Sequence, residues 1–177
     1  MTDAHGASVS DQMTAAVTAF MNAGELLVST NGNDTLQGAV SGIDTATYAY
    51  STEPVAVSLT NLAAQDTGHG IDILSNVENL IGSAVSDTLT GNDFSNVLDG
   101  GAGGDQLIGG KGSNVYIIDS LGDTITEASA GGSSDSVFAL ITLPMLPANV
   151  EDLFLLGSAN LDANGNKLRN WGCSRLA

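Results

Sequence analysis

The sequence predicts an all-β fold, a right-handed parallel β-roll or β-solenoid with a short N-terminal helix. Three observations lead there. The 22 glycines in 177 residues exceed the average share of roughly 7%, and that excess asks for a backbone with many tight turns. From Gly24 onward, short β-type runs alternate with Gly, Asn, Asp and Ser turns. Within that stretch the chain repeats itself every nine residues.

The repeat starts at Gly82 and runs through four successive units: GSAVSDTLT (82–90), GNDFSNVLD (91–99), GGAGGDQLI (100–108) and GGKGSNVYI (109–117). The first position is Gly82, Gly91, Gly100 or Gly109. The sixth is Asp87, Asn96, Asp105 or Asn114, and the eighth is Leu89, Leu98, Leu107 or Tyr116. The last three residues of a unit make a minimal strand whose middle side chain points inward. One unit carries the chain across and the next brings it back, so a full coil takes two units. Stacked coils then form two short parallel sheets over a thin leucine core, each coil needing its neighbours for burial.

Before the repeats, residues 11–24 read as a helix. Met13, Val17, Phe20 and Met21 recur at helical spacing, Ser10 or Asp11 caps the start and Gly24 ends it. This stripe is a packing face, such as a solenoid end cap. The expected organisation is an N-terminal arm over 1–30, a solenoid over 31–166 with its nonapeptide core at 82–125, and an atypical basic tail over 167–177. The tail holds Lys167, Arg169, Arg175, the single Trp171 and the single Cys173, whereas all 20 acidic residues precede it. It reads as a peculiar terminus or as the product of a truncation or frame shift.

Charge narrows the partners. Asp+Glu 20 against Lys+Arg 4 gives −16, a surface that repels phosphate and anionic lipid and attracts cations. Nucleic acid is therefore not an expected partner. With 42% hydrophobic residues the acidic chain is expected to bury a core rather than stay disordered. One cysteine excludes an internal disulfide framework and a cysteine metal site. The segment Met1–Gly6 lacks the start of a secretory signal, and no apolar stretch is long enough to span a membrane. A secreted protein with this N-terminus would need an export route that does not read an N-terminal signal.

An enzyme is not expected. The chain has His5 and His69 only, and neither a Gly-x-Ser-x-Gly, a His-Glu-x-x-His nor a phosphate loop is present. His69, in Thr67-Gly68-His69-Gly70, reads as a solvated turn histidine. Lys111 reads as an exposed turn residue.

The two-unit coil places Asp87, Asp105 and Asp123 along one edge, and Asn96 and Asn114 along the other. Carboxylates from successive turns would face each other across about 4.7–4.9 Å. That stacking is repulsive alone and favourable with Ca²⁺, which takes 6–8 oxygens from carboxylates and backbone carbonyls.

The unit GGAGGDQLI matches G-G-x-G-x-D-x-U-x, the calcium-binding repeat of RTX proteins, at every specified position. GGKGSNVYI matches except at Asn114. The chain thus resembles the RTX (hemolysin-type calcium-binding) repeat family. Ile117-Ile118-Asp119-Ser120-Leu121-Gly122-Asp123 is similar to the family's segment after its last full repeat. Asn31-Gly32-Asn33-Asp34-Thr35-Leu36, Gly42-Ile43-Asp44-Thr45-Ala46 and Asn76-Val77-Glu78-Asn79-Leu80 also resemble RTX-associated sequence. Asn149-Val150-Glu151-Asp152-Leu153 partly repeats the last of these, which suggests two related solenoid sections.

The resemblance, over roughly residues 30–166, implies a calcium-binding module of a secreted bacterial protein, exported by type I secretion into the extracellular space. It implies about one to three ions held by Gly100, Gly101, Gly103, Asp105, Asp119, Gly122 and Asp123, with Asp87 as a further ligand. Three departures matter. Ser83, Val85, Asn92 and Phe94 replace glycines of the pattern, and a β-branched Val resists positive φ, so turn 82–87 is expected to be reshaped. Asn offers a neutral oxygen, so the Asn96/Asn114 edge is expected to bind calcium weakly or not at all, and the basic tail does not resemble a type I secretion signal. The alternatives are a calcium-independent structural or adhesive solenoid, or the non-catalytic part of a larger exoenzyme. Self-association through exposed solenoid ends is a further expectation.

Overall fold

Triplets such as Thr88–Thr90 and Gln106–Ile108 have room for one inward side chain each, and each forms a three-residue strand in the computed structural model. The structure describes residues 24–129, 131–156 and 166, and the backbone of 174–176. The expected helix over 11–24 lies outside the described residues except for Gly24.

The strands, in chain order, are β1 (Leu26–Val28), β2 (Thr35–Gln37), β3 (Thr45–Thr47), β4 (Ala56–Ser58), β5 (Gln65–Asp66), β6 (Ile71–Ser75), β7 (Asn79–Ile81) and β8 (Thr88–Thr90). They continue as β9 (Val97–Asp99), β10 (Gln106–Ile108), β11 (Val115–Ile118), β12 (Thr124–Thr126), β13 (Ser136–Ala139), β14 (Asp152–Leu156) and β15 (Ser174–Leu176).

One face of the coil is an eight-stranded sheet ordered β1-β3-β7-β9-β11-β13-β14-β15, parallel throughout. The opposite face carries β4-β8-β10-β12, also parallel, and a three-stranded sheet of β2, β6 and β5. This is the expected parallel β-solenoid, with about seven turns. β1 falls inside 1–30 and β15 inside 167–177, so strands of the first sheet extend past 31–166 at both ends.

Within the repeats the register is that of a two-unit coil. Leu98 pairs with Leu80 and Tyr116, and Leu107 with Leu89 and Ile125. Elsewhere the coil is irregular. Asn79, which pairs with Thr45, comes 34 residues after it, because β4, β5 and β6 are all inserted between them. There β5 and β6 form an antiparallel hairpin, tied to β4 by the Ala56 N–H donating to the Thr67 carbonyl at 2.9 Å.

The eighth-position residues Leu89, Leu98, Leu107 and Tyr116 are all 0% exposed, which makes them the spine of one continuous core. Each such side chain contributes roughly 1.5–3 kcal/mol by burial. A second cluster, Val97, Ile117 and Phe138, lies on the other side of the eight-stranded sheet, where the Phe138 and Phe154 rings stack at 4.7 Å. The glycine-rich turns pack onto glycine-poor ones. A Cβ at Gly101 would collide with the Ser83 carbonyl, and one at Gly112 with the Phe94 backbone. Both glycines also sit at positive φ, +79° and +81°, where other residues are strained.

Candidate metal centre

The residue just before each strand of the opposite face turns its side chain along the stack. The Val55 N–H donates to Asp87 Oδ1 at 2.8 Å, the Asp87 N–H to Asp105 Oδ1 at 2.8 Å and the Asp105 N–H to Asp123 Oδ1 at 3.0 Å. The sequence places these aspartates 18 residues apart on one edge, and the structure agrees. The expected repulsion among them is present, and each carboxylate also accepts an amide of the turn before it.

What separates the three is the second oxygen. Asp87 Oδ2 accepts the Ser83 N–H at 2.5 Å and its hydroxyl at 2.9 Å. Asp123 Oδ2 accepts the N–H groups of Asp119 at 3.1 Å and Ser120 at 3.0 Å. Asp105 Oδ2 is buried and has no hydrogen-bond partner among the described residues. The cause is the second glycine of its unit. At φ +79° the Gly101 N–H points to Asp99 Oδ1 at 3.1 Å, whereas the equivalent amides of Ser83 and Asp119 cap their own aspartates. Turn 82–87 is reshaped as expected, since neither Ser83 nor Val85 adopts positive φ.

Asp99 and Asp119 complete an acidic group around Asp105. Burial pushes Asp105 up to about 6, with Asp123, Asp87 and Asp119 adding repulsion and the Asp87 N–H opposing it. Asp99 is likewise pushed to about 6 by burial, the Gly101 N–H opposing and Asp119 and Asp123 adding. Burial and Asp123 also raise Asp119. Such a group asks for a cation. The donors are all oxygen, as a hard cation requires: a Cβ on Gly82 would lie 2.5 Å from both Asp87 Oδ2 and the Gly100 carbonyl oxygen. Among the described residues no three His, Cys, Asp or Glu side chains form a compact metal cluster, so backbone carbonyls must complete any coordination shell.

The expected ligands thus fall into three places. Asp87, Asp105 and Asp123 share the edge, and Asp119 stands beside them. Gly100, Gly101 and Gly103 form the turn over Ser83 and Val85, with Gly122 packed against Gly104. Sequence reasoning missed Asp99. Its signal was available: it is the only acidic residue at the ninth position of the four units.

The other edge is a second ladder. The Asp44 N–H donates to Glu78 Oε2 at 2.8 Å, the Asn96 N–H to Asn114 Oδ1 at 2.9 Å, the Asn114 N–H to Asp135 Oδ1 at 2.7 Å and the Asp135 N–H to Glu151 Oε2 at 2.9 Å. Asn96 Oδ1 accepts the Asn92 N–H at 2.8 Å, and its Nδ2 donates to the Glu78 carbonyl at 2.7 Å. The two asparagines therefore serve the backbone.

His69 departs from its expected solvated setting. Its Nδ1 lies 3.2 Å from Ser29 Oγ, its ring meets Tyr48 edge-on at 6.3 Å, and its Nε2 is buried with no hydrogen-bond partner among the described residues. It therefore lacks the orienting carboxylate of a nucleophile–base pair. Lys111 is exposed as expected, with an ion pair to Asp93 at 2.6 Å.

Fold and site together define a parallel β-solenoid with glycine-rich turns and an acidic edge whose donor atoms are all oxygen. Residues 81–116 match the RTX calcium-binding nonapeptide repeat in four copies. This stretch is similar to a calcium-binding repeat, which supports Ca²⁺ as its cofactor. Repeats of this family are generally structural rather than catalytic. No curated protein matches the chain. No helix among the described residues is long and apolar enough to cross a membrane.

Proposed function

We propose that the chain is a non-catalytic, calcium-responsive folding module of a secreted bacterial protein, with its ions along the Asp87–Asp105–Asp123 edge. The observation that carries this reading is the buried, unpartnered Asp105 Oδ2 amid other carboxylates. Asp105 and carbonyls of the Gly100–Gly103 and Gly122 turns carry the coordination, with Asp99, Asp119 and Asp123 adding negative charge around it. Asp87 and Asp123 are weaker than Asp105, since their second oxygens are held by Ser83 and by the Asp119 and Ser120 amides.

Without calcium, a charge of −16 and stacked acids favour an open chain suited to export. Outside the cell, binding energy becomes folding energy. A site with a Kd near 10⁻⁴ M gains roughly 1.4 kcal/mol at about 1 mM calcium, so several sites act together. Type I secretion and an extracellular location are part of this proposal.

A second reading, a structural or adhesive solenoid indifferent to calcium, draws support from the two hydrogen-bond ladders and the continuous core. Far-UV circular dichroism in chelator, followed by titration with Ca²⁺ and separately Mg²⁺, decides between them. A coil-to-β transition with calcium alone supports the switch. A β spectrum complete in chelator and unmoved by calcium leaves the structural solenoid.

A further inference from the structure

Asn76-Val77-Glu78-Asn79-Leu80 and Asn149-Val150-Glu151-Asp152-Leu153 build the same local structure on different turns. Asn76 and Asn149 are the two non-glycine residues at positive φ among those described, 51° and 65°. The Val and Leu of each motif enter the core. Each Glu accepts the N–H of an aspartate one turn earlier, Glu78 from Asp44 at 2.8 Å and Glu151 from Asp135 at 2.9 Å. Both amides at the strand start then donate to that aspartate's carbonyl: Glu78 and Asn79 to Asp44 at 3.0 Å, Glu151 and Asp152 to Asp135 at 2.9 Å. The motif is thus a clasp closed on one aspartate.

The clasped residue is engaged from the other side as well. Asp44 Oδ1 accepts the Glu25 N–H at 2.6 Å, and Asp135 Oδ1 accepts the Asn114 N–H at 2.7 Å. Asp44 is 0% and Asp135 1% exposed, yet Oδ2 of each has no hydrogen-bond partner among the described residues. An unpaired carboxylate oxygen in the interior is expensive. Finding that arrangement twice, in the same clasp, points to a missing partner of positive charge rather than to a packing accident.

Both free oxygens meet backbone oxygens at a glycine. Asp44 Oδ2 and the Asn76 carbonyl oxygen converge beside Gly38, and Asp135 Oδ2 and the Gly112 carbonyl oxygen converge beside Gly132. At the second clasp the buried Glu127 adds a carboxylate: its Oε1 accepts the Ala128 N–H at 2.7 Å and converges with the Gly110 and Ala128 carbonyl oxygens beside Gly131. Its Oε2 accepts the Tyr116 hydroxyl. This all-oxygen set, short of positive charge, suits a hard divalent cation.

We propose that the two clasps are calcium sites of their own, one built on Asp135, the Gly112 carbonyl and Glu127, the other on Asp44 and the Asn76 carbonyl. They lie on the edge opposite Asp105, and their carboxylates fall outside residues 81–116. Asn96 and Asn114 separate them, so two self-satisfied turns stand between the clasps on the second edge. This goes beyond the switch proposed above and stands or falls separately from it.

Equilibrium dialysis of the full chain against Ca²⁺ counts the ions. Asp44→Asn and Asp135→Asn keep the amide-accepting Oδ1 and are expected to lose about one ion each, and the double variant about two. Asp105→Asn is expected to lose its own ion and keep those two. A double variant that binds as many ions as the unaltered chain overturns the proposal, whatever Asp105→Asn does. If Asp105→Asn binds normally while the double variant loses two, the first-edge assignment fails and the clasps stand. Glu127→Gln leaves the Asp135 clasp intact and guards against unfolding of Asp135→Asn. It is expected to weaken one ion about tenfold, and unchanged affinity overturns the Asp135 site.

Discussion

Asp105 is bound to Asp87 one turn away, its Oδ1 accepting the Asp87 N–H at 2.8 Å, while its Oδ2 stays buried without a hydrogen-bond partner among the described residues. One oxygen builds the stack, and the other is the one proposed to meet an ion. Asparagine at this position retains the first role and loses the second, as Asn114 does one unit later, where Nδ2 donates to the Lys111 carbonyl at 3.2 Å. Asp105→Asn should therefore raise the melting temperature in chelator, because a buried charge is gone, and shrink the further rise caused by calcium. Thermal melts with and without calcium check both signs. A variant destabilised in chelator would mean that Oδ2 already has a structural partner.

The same carboxylates set a pH dependence. Asp99 and Asp105 are pushed up to about 6, above the ordinary aspartate value near 4. A raised carboxyl pKa favours the fold while the group is protonated, and that contribution is lost as pH rises through 6. In chelator the chain should be more stable at pH 4.5 than at pH 7.5. Calcium requires the ionised form, so its stabilisation should be large at pH 7.5 and nearly absent at pH 4.5. Melts at the two pH values, with calcium and with chelator, test the crossing.

The glycines of the third unit are not equivalent. Gly101 sits at φ +79° with the Ser83 carbonyl where a Cβ would go, whereas a Cβ on Gly104 would meet its nearest neighbour, Gly122, at 3.4 Å. Gly101→Ala should cost about 1–3 kcal/mol from the backbone conformation alone, with collision added, and should weaken calcium by disturbing the amide that leaves Asp105 free. Gly104→Ala should cost well under that. Urea unfolding of both variants in calcium gives the comparison.

The repeats were legible because each of their features is local and recurs. Gly82, Asp87 and Leu89 announce a turn, an edge and a core residue within nine positions, and every later unit restates them. The insertion carrying β4, β5 and β6 has no such period: Thr45 finds Asn79 only 34 residues later, and nothing local marks that pairing. The likeness of Asn76–Leu80 to Asn149–Leu153 was visible, but its role was not, since the clasp closes on Asp44 and Asp135 in other turns. Asp99 was overlooked because its importance comes from Asp119 and Asp123 across the stack. His69 was misplaced for a similar reason: a Gly-His-Gly turn looks solvated until Ser29 and Tyr48 fold against it.

Leu107 tests how far calcium can substitute for core. It is 0% exposed and paired in register between Leu89 and Ile125, on the strand that directly follows Asp105. Truncation to alanine removes buried methyl groups and leaves a cavity that short, tightly stacked turns cannot collapse into, a loss of about 2–5 kcal/mol. Ile125, on the edge strand of that sheet and only partly buried, should lose less when truncated. In a stack whose turns depend on their neighbours, the break at Leu107 also uncouples the Asp87 and Asp123 turns that flank the proposed site. Leu107→Ala should therefore melt lower at every calcium concentration, and its calcium midpoint should shift to higher concentration. A Leu107→Ala variant whose calcium midpoint equals that of the unaltered chain would mean that ion binding is confined to its turn and does not draw on the core beneath it.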